Sequence, residues 1–177
     1  MACWNVIDHT ELTGNAQSYT KSSIPDTYDH LCLQASVRVS NAVYYNTCYV
    51  NFNGDTGANY DTKAFYTGGA SVYGGQHTGG TFFNYIYSTG ASATANLFAT
   101  IRLWIPNYAN TDGYKQMICE FGMPAPTATD WHAINGQGAH QWRSTAAIDE
   151  IELATDNALR YFVEYSTFTL YGINGAG

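Results

Sequence analysis

Residues 31–40 read LCLQASVRVS. In an extended chain Leu31, Leu33, Ala35, Val37 and Val39 fall on one side, and Cys32, Gln34, Ser36, Arg38 and Ser40 on the other. Successive side chains of a strand point to opposite faces, whereas an amphipathic helix needs apolar positions three and four apart. The alternation therefore predicts a half-buried strand, with one face on a core and the other toward water.

Downstream, after a brief turn at Asn41, residues 43–52 read as the hairpin partner of this strand, with Val50 and Phe52 on one face. Asn53-Gly54-Asp55-Thr56-Gly57 is turn chemistry. Residues 63–67 form a short strand ahead of a glycine-rich run from Gly68-Gly69 through Gly74-Gly75 to Gly79-Gly80, and TFFNYIY (81–87) resumes strand character. Residues 88–96 are small and polar, a loop.

The next strong strand covers 97–105, with Leu97, Ile101, Leu103 and Ile105 against Arg102 and Trp104. Residues 114–121 pair with it across Asn110-Thr111-Asp112-Gly113. Trp131-His132 and residues 140–143 supply two short strands. Upstream, Pro25 and its Asn, Asp and Ser neighbours make 13–30 a long loop, preceded by a first strand at Trp4–Asp8.

The chain closes on WRSTAAIDEIELATDNALRYFVEYSTFTLYGI (142–173), read as two strands around a turn at Thr155-Asp156-Asn157. In the first, Ile151 and Leu153 alternate with Glu150 and Glu152; the second runs from Arg160 to Ile173 and is rich in aromatic and β-branched residues. Ending there, it is expected to lie inside a sheet. Nine or ten strands at this spacing, with no window of helical periodicity, predict a single all-β domain over 1–177. The expected architecture is a two-sheet jelly-roll-like sandwich with long loops and essentially no helix.

Composition narrows the function classes. Aromatics make up 15% of the 177 residues and charged residues only 12%, with tyrosine the commonest aromatic. The net charge is -7, and the seven Lys and Arg are scattered singly. Nucleic-acid binding needs a clustered basic footprint, and polybasic membrane attachment needs the same, so neither partner is expected. No apolar run reaches the length of a membrane span. The N-terminal MACWNVIDHTEL shows no basic region followed by an apolar one, so no signal peptide is expected. Cys3, Cys32, Cys48 and Cys119 form no CxxC pair and read as reduced, mostly buried thiols of a cytosol-made protein, with two disulfides the open alternative.

No catalytic, cofactor-binding or metal-ligating residue is expected. His9, His30, His77, His132 and His140 are dispersed and none sits at HxH or HxxxH spacing. Residues 51–57, NFNGDTG, place Thr56 and Thr62 where a calcium loop of the EF-hand type needs glycine and glutamate, so a hairpin turn is the better reading. There is no GxSxG, GxxxxGK[ST] or GxGxxG motif. Glu150 and Glu152 share a strand face with no opposing acid and read as solvated carboxylates, so the chain is expected not to be an enzyme. Tyr44, Tyr45, Tyr60, Tyr66, Tyr73, Tyr108 and Trp131 sit in or near expected loops. They suit either sugar rings or a subunit interface.

The closing segment resembles the C-terminal ends of small virion proteins of tailed bacteriophages. Its matching residues are Ile148, Ile151, Leu153, Phe162, Ser166, Phe168, Leu170, Tyr171 and Gly172. IDHTELTGNAQSYTKSSIPDTYDHL (7–31) and FATIRLWIPNYANTDGYKQ (98–116) also resemble that group. Glu164-Tyr165 departs from it, the pattern more often having small residues there. The resemblance implies a jelly-roll virion structural protein made in the host cytoplasm. It implies a capsid decoration (cement) protein, a homotrimer on the shell exterior that contacts the major capsid protein or other virion proteins. The alternative is a tail-fibre or baseplate receptor-binding domain that recognises a host surface glycan.

Overall fold

The computed structural model describes residues 3–123 and 133–175. Among them are twelve strands and no helix. These are β1 (Cys3–Glu11), β2 (Ser18–Lys21), β3 (His30–Val37), β4 (Tyr45–Phe52), β5 (Tyr60–Gly68), β6 (Ser71–Gly80), β7 (Phe83–Thr89), β8 (Ala99–Pro106), β9 (Lys115–Met123), β10 (Ile134–Trp142), β11 (Ile151–Thr155) and β12 (Thr167–Asn174). An eight-stranded sheet runs β1-β12-β3-β8-β9-β10-β5-β6, and a four-stranded sheet β2-β11-β4-β7. The strand ladders are antiparallel, and the two layers form the expected jelly-roll-like sandwich.

The alternating positions bury the core. Leu31, Leu33, Ala35 and Val37 of β3 and Ile101, Leu103 and Ile105 of β8 line the inner face of the large sheet. Cys48, Val50 and Phe52 of β4 and Ile151 and Leu153 of β11 meet them from the small sheet. Rings lock the layers together: Tyr19 of β2 stacks on Phe168 of β12 at 4.8 Å, and Phe83 of β7 meets Tyr60 of β5 edge-on at 4.8 Å.

Several pairings differ from the expected ones. Strand β4 exists, but its neighbours are β11 and β7, so it is not the hairpin partner of β3, whose neighbours are β12 and β8. Likewise β11 and β12 belong to different sheets, and residues 160–166 are no part of β12. Phe162 instead makes isolated bridges to Ala16 and Val39, and Tyr165 has φ 68°. As expected, β12 is an inner strand, between β1 and β3. The 13–30 loop contains β2, which pairs with β11, and the glycine-rich run is β6. Trp131 and His132 lie outside the described residues.

The turn at Asn53-Gly54 has both residues at positive φ, 55° and 60°, as a tight turn of this type requires. It carries the chain from the small sheet to the large one, so no hairpin forms across it. Asn53 ties it down: Nδ2 donates to the Ala147 carbonyl at 2.7 Å, and Oδ1 accepts from the Asp149 and Glu150 amides.

Candidate binding face

Register determines what the outer face of the eight-stranded sheet displays. One row of directly opposed residues crosses every strand: Val6, Tyr171, Cys32, Trp104, Ile118, Ala139, Lys63 and Gln76. The adjacent row runs Thr169, Gln34, Arg102, Glu120, Gln137, Phe65 and Gly74. Rings and aliphatics thus border a polar strip.

At one end Trp4 lies 6.3 Å from Trp104 and 5.4 Å from Tyr171, ring centre to ring centre, and His30 lies 5.4 Å from Trp104. Trp4 remains 48% exposed, Val6 61%, Phe65 56% and Val72 72%. These side chains lie in two groups near the ends of the sheet, Trp4 and Val6 on β1 and Phe65 and Val72 on β5 and β6, with Ile118 of β9 between them. In the polar strip Arg102 pairs with Glu120, and Gln137 Nε2 donates to Glu120 Oε1 at 3.3 Å. Both ionic side chains are about half exposed, so the pair contributes at most ~1 kcal/mol to stability.

Small residues in these rows leave open hollows. One of about 610 Å³ lies over Ala139 and Gly74 between Phe65, Ile118 and Gln137. Another of about 370 Å³ lies over Thr100 and Gly122 beside Arg102, and a third of about 240 Å³ between Trp4 and Trp104. The face can bind through ring surfaces and planar polar groups. Its central acid, Glu120, is engaged by Arg102 and Gln137.

The other singled-out residues are dispersed. Tyr60, the first residue of β5, and Tyr108, in the turn after β8, lie in or beside loops as expected, but both are fully buried. The Tyr60 hydroxyl accepts the Phe52 amide at 3.1 Å, and the Tyr108 hydroxyl donates to the Pro25 carbonyl. Tyr45, Tyr66 and Tyr73 do converge, around a hollow of about 360 Å³ at the β5–β6 turn. Tyr66 stacks on Tyr73 at 5.6 Å and leans on Tyr87 at 5.0 Å. Burial pushes the Tyr87 hydroxyl well above its ordinary value, and Tyr66 adds to this.

Glu150 accepts from Ser22 Oγ at 2.5 Å and Glu152 from Asn51 Nδ2 at 2.7 Å. Asp55 of the 51–57 segment, read as a turn rather than a calcium loop, accepts from Trp142 Nε1 at 2.7 Å, Asn59 Nδ2 at 2.9 Å and the Gly57 amide at 2.7 Å. Burial raises its pKa, but these three donors outweigh burial and hold the carboxyl below its usual range. Among the described residues no group of three or more His, Cys, Asp and Glu side chains could hold a metal ion. His9 reaches Thr169 Oγ1 at 2.8 Å and His140 Thr62 Oγ1 at 3.0 Å, on opposite faces of the sheet. All four cysteines are free; Cys32, Cys48 and Cys119 are buried and Cys3 is exposed. Burial pushes the Cys32 thiol up to about 11, against the opposing pull of Arg102.

No protein-family model matches the chain, and no curated protein matches it in sequence. Among solved structures, one similarity is to the crystal structure of scytalido-glutamic peptidase with a transition state analog inhibitor. Identity is 13%, covering 92% of this chain and 75% of that one, at a TM-score of 0.29. The two arrangements are too different for any residue role to be carried across.

Proposed function

We propose that the chain is a tailed-bacteriophage virion structural protein, a decoration module that docks on the outside of the shell and stabilises it. The observation that carries the docking part is the outer face of the eight-stranded sheet. It spans the whole sheet, and it exposes Trp4, Val6, Phe65, Ile118 and Val72; its charged groups include the central Arg102–Glu120 pair, Lys63, and the Asp61–Arg143 pair toward one end. Interface cores favour aromatic residues and Arg and avoid Lys, Glu and Asp, whose desolvation is costly. The phage part is supported by the resemblance of the closing segment. The module works by adhesion, without bond-breaking.

Mixing purified protein with undecorated shells gives saturable binding, at a copy number set by the capsomer lattice. Absence of binding, or only a few copies per particle, sinks the reading.

One observation favours a second reading, a tail-associated domain for a host glycan: the hollow walled by Tyr45, Tyr66 and Tyr73 and free of charged side chains. Apolar ring faces and neutral hydroxyls are what a sugar ring requires. A glycan array probed with wild type and Tyr73→Ala separates the two readings, since only the glycan domain loses signal on the substitution.

A further inference from the structure

A sheet edge offers a row of unpaired backbone donors and acceptors, and proteins blunt such edges with charges, bulges, prolines or short length. Three of the four edges here are blunted. Strand β1 carries Asp8 and Glu11 and a bulge between Val6 and Asp8. Strand β2 has four residues, one of them Lys21. Strand β7 is irregular against β4, and its Tyr85 has φ 60°.

Strand β6 is the exception. SVYGGQHTGG contains no Asp, Glu, Lys, Arg or Pro. Its pairing with β5 is regular from Ser71 to His77, which at strand rise is about 24 Å of continuous edge. Among the described residues no strand pairs with its outer side, and the Tyr85 hydroxyl reaches the Gln76 carbonyl at 3.5 Å. Val72 and Tyr73 stand 72% and 49% exposed on it, so an apolar contribution is available beside the hydrogen bonds.

We infer that β6 is the self-association edge of this protein: two copies join antiparallel through β6, about a two-fold axis near Gly74. A second copy is the occupant that the charge pattern favours. Two molecules of net charge -7 repel, so the edge along which they meet at least cost is the one without charged side chains, and β6 has none. The segment is also self-complementary. Centred on Gly74, Val72 faces the partner copy's Gln76 and Tyr73 faces its Gly75, the glycine that the Tyr85 ring covers, so no like charges oppose each other across the axis.

The two-fold axis stands perpendicular to the sheet, so both outer faces point the same way. Two docking faces on one side give bivalent attachment to a shell, the only step that rests on the proposed function. The arrangement replaces the expected trimer by a pair, because an isologous contact closes at two copies.

Sedimentation velocity across a dilution series, without shells, tests the pairing apart from the docking. Wild type is expected to shift from monomer to dimer with concentration, and hydrogen exchange in residues 71–77 to slow as it does. Val72→Lys with Gln76→Lys sets lysine against lysine across the axis at two exposed positions, leaving the core alone. The double variant is expected to weaken the dimer at least tenfold. Mixing it with the Val72→Glu, Gln76→Glu protein restores the dimer. A wild type that stays monomeric to ~100 μM, a trimer, or a dimer indifferent to the lysines each overturns the inference.

Discussion

Acidifying this protein removes stability through His140. The ring is 2% exposed, with Nδ1 3.0 Å from Thr62 Oγ1, the Phe83 ring edge-on at 5.1 Å, and no partner for Nε2 among the described residues. Burial alone lowers its pKa from 6.5 to about 4. Between those values the unfolded chain binds a proton that the folded one refuses, so stability falls as pH falls through the window. The loss is negligible near pH 7.5, about 1.4 kcal/mol near pH 5.5 and about 2.5 kcal/mol near pH 4.5.

Urea unfolding of wild type and His140→Phe over this range isolates the effect, because carboxylate contributions are common to both proteins and cancel. The stability difference between the two proteins should change by about 2.5 kcal/mol from pH 7.5 to 4.5, with wild type losing more. Parallel pH profiles, within about 0.5 kcal/mol, would refute a neutral, desolvated His140.

Two further substitutions test what positions the loops. Asp55→Ala leaves the indole N–H of Trp142, itself 2% exposed, without its acceptor; the expected cost is about 1–3 kcal/mol in chemical denaturation. An unchanged midpoint would mean that another acceptor takes over. Arg38 donates to the carbonyls of Ala91, Ala93, Thr94 and Leu97 at 2.8–3.0 Å, holding the segment between β7 and β8. Arg38→Ala should raise amide exchange across residues 91–98 on the order of tenfold, the equivalent of losing a charge-assisted hydrogen bond. Exchange confined to wild-type rates would assign the ordering of that segment elsewhere.

Period-two alternation made β3 and β8 legible from residues alone, because their buried sides are aliphatic rows; β9, whose buried side is Lys115, Met117, Cys119, Phe121 and Met123, was legible through the turn that precedes it. Alternation says that a strand has an inner face and is silent about which sheet it joins. Residues 43–52 look like a hairpin partner of β3 for that reason, although the chain crosses to the other layer. Strand β6 gave no apolar signal because four of its residues are glycine, and pairing with β5 makes it a strand. At Gly75 the ring of Tyr85 lies within 2.5 Å of where a Cβ would stand, a requirement visible only in three dimensions. The candidate face was half legible: Arg102 and Trp104 read as the outer side of β8. Glu120, Gln137 and Phe65 join them through the register of three further strands, which no local pattern encodes.

Binding to undecorated shells by proteins altered on one layer or the other tests the docking reading most directly. Ile118→Lys puts a charge between Trp104 and Ala139 in the middle of the large sheet, and Thr20→Lys puts one on exposed β2 of the small sheet. A docking face on the large sheet predicts at least tenfold weaker binding for the first, about 1.4 kcal/mol, and wild-type binding for the second. Full binding by Ile118→Lys, or loss confined to Thr20→Lys, would contradict it.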